Sequence, residues 1–240
     1  MASHFARWTL IDANIPVYRL PYAILDTAQT LMERRQTRYL ASHALLAEQM
    51  WRVYGFSQLP ALATTSNGRP CFSDPYLPDF SIAYAGNIVG VLLAEEQGKA
   101  GLDMEIVRSY SRHTREQQSH KFSSGETAWI KAQSDPNEAA IQLRALRQSV
   151  LKLTRVKTLE NSELQLHPAS GRLRLLTSDN IEIISDVEPL IIWACALSAG
   201  DGLLHLWEFN GLESWKQLKE IQISARNMEP QMLHLTNLYK

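Results

Sequence analysis

The chain has 240 residues, 45% hydrophobic and 20% charged, with a formal net charge of −1 at pH 7. This is the composition of an ordinary globular protein able to bury one large core or two packed halves, and near-neutral charge excludes nonspecific nucleic-acid or membrane binding by the molecule as a whole. Two cysteines, Cys71 and Cys195, are too few for a secreted disulfide framework or a structural zinc site, so a reducing cytoplasm is expected.

The N-terminal stretch "MASHFARWTLIDANIPVYRL" lacks a continuous apolar core of the signal-peptide kind, and no later segment is apolar for long enough to cross a bilayer. The first periodic segment is "TLMERRQTRYLASHALLAEQMWRVYGF", where Leu31, Leu40, Ala44, Leu45, Met50 and Tyr54 predict a long amphipathic helix packed on a sheet. Turn-prone "TTSNGRPCFSDPYLPD" follows, and then "FSIAYAGNIVGVLLAEE" and "KAGLDMEIV" read as adjoining strands. Residues 108–140 are polar and helix-prone, and the Asp-Pro of "QSDPNE" marks a loop leading into a helix over "EAAIQLRALRQSVLKLT". Beyond it "LQLHPASGRLRLL", "NIEIISD", "LIIWACALSA" and "GLLHLWEF" read as short strands, and the tail from Ser214 onward as a helix followed by coil. Both halves run helix, then strands, so the chain reads as a pseudo-duplicated α+β protein.

"GLDMEIV", residues 101–107, places Asp103 and Glu105 two apart on a strand, on one face and about 7 Å apart at the backbone, with Leu102, Met104 and Ile106 on the other. Adjacent carboxylates repel and lose solvation unless neutralised, which a hard divalent cation does; the plainer alternative is an edge strand with a solvated acidic face. Arg34, Arg35 and Arg38, with His43 just over a turn later, form a basic group suited to a phosphate or simply to solvent. "NGRP" combines a glycine that permits close backbone approach, a charge and a stiffening proline, and reads equally as a plain turn.

In order, "NGRP", "FSIAYAG", "GLDMEIV", "FSSGE" and "LRALRQSVLK" resemble the motifs of the 4′-phosphopantetheinyl transferases of the larger, pseudo-dimeric kind, closest to the divergent members of enteric bacteria, over roughly residues 30–160. The resemblance implies two similar α/β lobes packed as a pseudo-dimer, each with a small antiparallel sheet and a long helix. Residues 1–120 would form a lobe with the nucleotide and metal motifs, and residues 121–240 a lobe completing an inter-lobe active site. It implies magnesium, held by Asp103, Glu105 and Gln148, and coenzyme A as co-substrate, with Arg38, Gly68, Arg69, Pro70, Tyr84 and Lys152 around it. Phe122, Ser123 and Glu126 match the family's Phe, Ser or Ala, x, x, Glu element, and Lys152 its final lysine, with Arg147 nearby to neutralise phosphates.

Two departures stand out. Ser81, Ile82, Ala83, Tyr84 and Ala85 occupy the place of a family motif whose serine and histidine contact the nucleotide's 3′-phosphate. Arg144, Ala145, Leu146, Arg147 and Gln148 stand where the family reads Trp, x, x, Lys, Glu, so an amide that cannot act as a general base replaces a carboxylate. Glu126, a metal-bound water or the phosphate is left to take the acceptor proton. The expected activity is transfer of phosphopantetheine to a serine of an acyl or peptidyl carrier protein by a monomeric cytoplasmic enzyme. The alternative is a degenerate, non-catalytic binder of coenzyme A or carrier protein. Arg108, Arg112, Arg115 and Lys121 outweigh Glu116 in "RSYSRHTREQQSHKF", which serves either as a docking surface for an acidic carrier or as a solvated linker helix.

Overall fold

A computed structural model describes residues 2–11, 14–107, 122–156, 158–160, 163–176, 180–198, 202–211, 214–223 and 232–237. The chain packs as two units, Met1–Lys99 with Asp201–Gln222, and Ala100–Gly200 with Ile223–Lys240. The first unit contains β1 (Ala2–Thr9), α1 (Tyr22–Gln29), α2 (Glu33–Tyr54), β2 (Leu62–Thr64), β3 (Pro70–Phe72), β4 (Phe80–Ala85) and β5 (Ile88–Leu93). The second contains β6 (Ala100–Ile106), α3 (Ser124–Lys131), α4 (Pro136–Thr154), β7 (Leu164–His167), β8 (Arg172–Leu175), β9 (Ile181–Val187) and β10 (Ile191–Ser198). Strands β11 (Leu203–Phe209) and β12 (Trp215–Gln222) belong to the first unit, and β13 (Leu233–Asn237) to the second. The class is α+β. The division falls after Lys99 because β6 takes its ladder from β10, and residues 201–222 belong with the first unit because β11 pairs with β1. The boundary expected at residue 120 lies outside the described residues.

In the first unit a five-stranded sheet runs β12-β11-β1-β5-β4, beside a two-stranded sheet of β2 and β3. Strand β1, to which the sequence reading assigned no element, is central: it is parallel to β11 and antiparallel to β5. Ser3 and Phe5 on one face, and Ala6 and Trp8 on the other, are buried, so the half-buried alternation that signals a strand is lost. Helix α2 ends at Gly55, whose φ of 76° supplies the left-handed cap. Every residue from Ala41 to Met50 is buried, so its middle turns are enclosed on all sides rather than amphipathic. Leu45 and Met50 meet Trp8, Phe80, Val91 and Phe209 in one core.

The tail expected to be helical from Ser214 is strand β12, antiparallel to β11. Trp215, Leu218 and Ile221 repeat every three residues, which imitates a helix. The ladder explains the spacing: Trp207 pairs with Gln217 and Leu206 with Lys219, leaving Leu218 as an inserted residue that shifts the strand's phase.

In the second unit a six-stranded sheet runs β6-β10-β9-β13-β8-β7. Leu143, Leu146, Val150 and Leu153 of α4 pack on Ile181, Ile183, Ile192 and Ala194. The Asp135 carboxylate accepts from the Asn137 and Glu138 N–H groups and Pro136 opens the helix, as the Asp-Pro pair predicts.

Candidate active site on strand β6 and helix α4

Strand β6 is an edge of its sheet, with Asp103 opposite Ala194 and Glu105 opposite Ile192 of β10. Leu102 and Met104 are buried on one face. Gly101, Asp103 and Glu105 share the other, which α4 covers. The approach is close: a Cβ on Gly101 would stand 2.0 Å from the Ser149 carbonyl oxygen and 2.7 Å from the Leu153 nitrogen. Only glycine admits the helix backbone there.

Arg144, Gln148 and Lys152 recur every four residues and so lie on one face of α4. Lys152 Nζ donates to Asp103 Oδ1 at 3.0 Å and to the Leu102 carbonyl at 2.7 Å. Arg144 Nη2 donates to Glu105 Oε1 at 2.6 Å. Half-buried Gln148 lies between them in sequence. The carboxylates are therefore not a solvated face: the Asp103 and Glu105 side chains are 13% and 16% exposed, and each is matched by a cation of α4.

Burial lifts the Asp103 carboxyl from its usual 3.8 to about 6, with Lys152 opposing the rise and Glu105 adding to it. Its second oxygen, Oδ2, is buried without a hydrogen-bond partner. That orphaned acceptor, the Glu105 carboxylate and the Gln148 amide oxygen are hard donors of the kind magnesium takes. Among the described residues no group of three or more His, Cys, Asp or Glu side chains gathers as a metal cluster, and Gln148, on the same face of α4, is the neutral side-chain oxygen the resemblance adds to the pair. The donor chemistry fits magnesium, in competition with the two cations already there.

Glu126 is fully buried. Its Oε2 accepts the Ser123 N–H at 2.8 Å while its own N–H donates to Ser123 Oγ at 3.2 Å, a capping box that starts α3. Its Oε1 accepts from Arg147 Nη2 at 2.6 Å. Both oxygens thus accept from the protein's own donors, and the side chain is fully buried. Arg147 also donates to the Leu164 carbonyl at 3.2 Å, so it is tied to α3 and β7. The S-x-x-E pattern of "SSGE" was the available signal for this cap.

In the first unit Gly68 adopts a φ of 81° in a turn closed by the Gly68 N–H on the Thr65 carbonyl at 2.9 Å, and Pro70 opens β3. Arg69 Nη2 donates to Asp79 Oδ1 and Oδ2 at 3.2 and 3.1 Å and to the Phe80 carbonyl, so its charge is already matched. Arg34 and Arg35 are exposed, whereas Arg38 turns inward, donating to the Gly86 carbonyl and lying 5.9 Å from the Tyr84 ring centroid. Tyr84 donates to Ser42 Oγ at 2.9 Å, and His43 Nδ1 lies 2.7 Å from the Tyr39 carbonyl oxygen. Burial raises the Tyr84 hydroxyl and lowers the His43 imidazole. Arg108, Arg112, Arg115 and Lys121 lie outside the described residues.

No helix among the described residues is long and apolar enough to cross a membrane. No family model matches the chain. It is similar to "Uncharacterized protein YieE" of Escherichia coli strain K12, 42% identical over 243 residues, covering 99% of this chain and 96% of that protein. The protein of the same name in Escherichia coli O6:H1 strain CFT073 matches with the same identity and coverage.

Proposed function

The chain belongs to the YieE family, and we propose that it is a magnesium-dependent 4′-phosphopantetheinyl transferase acting on coenzyme A and an acyl or peptidyl carrier protein. The observation that carries this reading is the half-buried acidic pair on β6, faced by Lys152 and Arg144 of α4 and with one buried oxygen unpartnered, in a chain whose motifs follow the transferase order. A duplicated architecture is supported by element order. Each unit runs strand, short helix, long helix, two short strands, two longer strands, and its leading strand neighbours the last, as β1-β5-β4 and as β6-β10-β9. Such a repeated order of elements supports the pseudo-duplicated plan that the resemblance to the larger transferases implies.

In the reaction the serine hydroxyl oxygen bonds to the phosphorus next to pantetheine, the bond from that phosphorus to the bridging pyrophosphate oxygen breaks, and adenosine 3′,5′-bisphosphate leaves, with the hydroxyl proton passing to a water or to a phosphate oxygen. Asp103, Glu105 and the Gln148 amide oxygen would hold magnesium, which would supply positive charge to the pyrophosphate. Lys152, 33% exposed at its side chain, has the reach to donate to the same phosphates, where a preplaced cation stabilises developing charge. Glu126 and Arg147 are positioning residues that hold α3 on α4. Arg38, Gly68, Arg69, Pro70 and Tyr84 carry over as coenzyme A contacts, and the setting is a monomer in the cytoplasm.

The test is mass spectrometry of candidate apo-carrier proteins incubated with the protein, magnesium and coenzyme A. Wild type should add phosphopantetheine to a serine and Asp103→Ala should not. The second reading, a non-catalytic binder, is favoured by Gln148 and by the internal pairing of Arg69 with Asp79. It prevails if wild type binds coenzyme A in calorimetry yet modifies no carrier protein.

A further inference from the structure

We propose that Arg144 is a tethered counter-cation that occupies Glu105 in place of a metal ion, so that the acidic pair takes a divalent cation well only when an anionic ligand draws the guanidinium away. The inference rests on the transferase reading for the identity of that ligand, coenzyme A.

Two carboxylates about 7 Å apart at the backbone of one strand face, mostly screened from water, repel unless positive charge is close. Helix α4 delivers that charge to each: Lys152 to Asp103 and Arg144 to Glu105. Each carboxylate of the pair thus has a cation of α4 beside it. A divalent cation at Glu105 would sit within a few ångströms of the guanidinium, and like charges at that range oppose strongly where water is scarce. Arg144 also lies four residues before Gln148, on the same face of α4.

The two arginines of α4 differ in exposure. Arg147 has a side chain 13% exposed, locked on the fully buried Glu126 and on the Leu164 carbonyl. Arg144 has a side chain 31% exposed on a partner that is itself reached by solvent. Its fork matches a phosphate as well as a carboxylate, so a pyrophosphate arriving at this face can take the guanidinium while a cation takes Glu105, with charge balanced throughout. Metal and coenzyme A would then bind with positive coupling.

The experiment is manganese binding to the full chain, read from the free-ion electron paramagnetic resonance signal, with manganese alone and with manganese plus coenzyme A. Arg144→Ala should bind manganese alone at least about tenfold more tightly than wild type, and Arg144→Lys, which keeps the charge, should stay close to wild type. Coenzyme A should tighten manganese binding by wild type more than by Arg144→Ala. An Arg144→Ala protein that folds by circular dichroism and binds manganese no more tightly than wild type overturns the inference. If the variant does not fold, wild type alone decides, because equal manganese affinity with and without bound coenzyme A also overturns it. Tighter manganese binding by Arg144→Ala, with coenzyme A bound by neither protein in calorimetry, upholds the counter-cation and removes the transferase reading instead.

Discussion

Replacing Gly101 with alanine tests whether the close seating of α4 on β6 builds the site. The added carbon would lie 2.0 Å from the Ser149 carbonyl oxygen, 2.7 Å from the Leu153 nitrogen and 2.9 Å from the Leu153 Cβ. Nonbonded carbon contacts settle near about 3.5 Å, so strand and helix must part by roughly 1 Å or more. No side chain can rotate out of the way, because the two closest atoms belong to the helix backbone. Overpacking costs about 1–3 kcal/mol, and a backbone clash belongs at the upper end, which corresponds to a fall in Tm of roughly 6–12 °C. The same displacement would stretch the 3.0 Å Lys152–Asp103 and 2.6 Å Arg144–Glu105 contacts beyond hydrogen-bonding range. Urea unfolding followed by tryptophan fluorescence measures the stability loss. Gly125→Ala is the control, since nothing lies within 4 Å of its added carbon and it sits in helix α3, where the change should be neutral or stabilising by up to about 1 kcal/mol. Equal midpoints for Gly101→Ala and Gly125→Ala would refute the reasoning.

Breaking the Glu126–Arg147 pair with Glu126→Gln should cost about 3–5 kcal/mol in urea unfolding, and Glu126→Gln with Arg147→Met should recover part of it, because the loss comes from a buried unmatched charge. No recovery in the double variant would count against that cause. Asp103, lifted to about 6, binds more protons folded than unfolded between about pH 4 and 6 and so lowers stability as pH rises through that window. His4, pushed down to about 4 by burial with His205 and Arg52 beside it, does the opposite: it binds fewer protons when folded, and its contribution is lost as pH falls from 6.5. Unfolding free energies from pH 4 to 6.5 should therefore slope downward with pH in His4→Gln relative to wild type and upward in Asp103→Asn, each by at most about 3 kcal/mol. Identical pH profiles for the two variants would contradict both assignments. Gln148→Glu restores a third carboxylate and should raise carrier modification by wild-type standards in the same mass-spectrometric assay; unchanged or lower transfer would show that the amide is not the limiting group.

Local chemistry was legible wherever neighbours in sequence decide it. The long helix is readable from Leu31 to Tyr54 because side chains three and four apart share a face, and it is found at Glu33–Tyr54 with Gly55 as its cap. Asp135 and Pro136 announce α4, and Asp103 and Glu105 stand out because carboxylates two apart in an apolar strand share one face. Other features depended on atoms far along the chain. Strand β1 is recognisable only beside β5 and β11, and β12 only once the inserted Leu218 accounts for its three-residue spacing. The partners of the acidic pair lie 39 and 49 residues away, on a helix brought against β6 by a glycine whose role is to have no side chain. Sequence pattern thus placed Asp103 and Glu105 side by side on one strand face and left open whether a cation or solvent meets them. Which charge meets them was decided by the packing of α4, because coulombic matching depends on distances that only the tertiary fold sets.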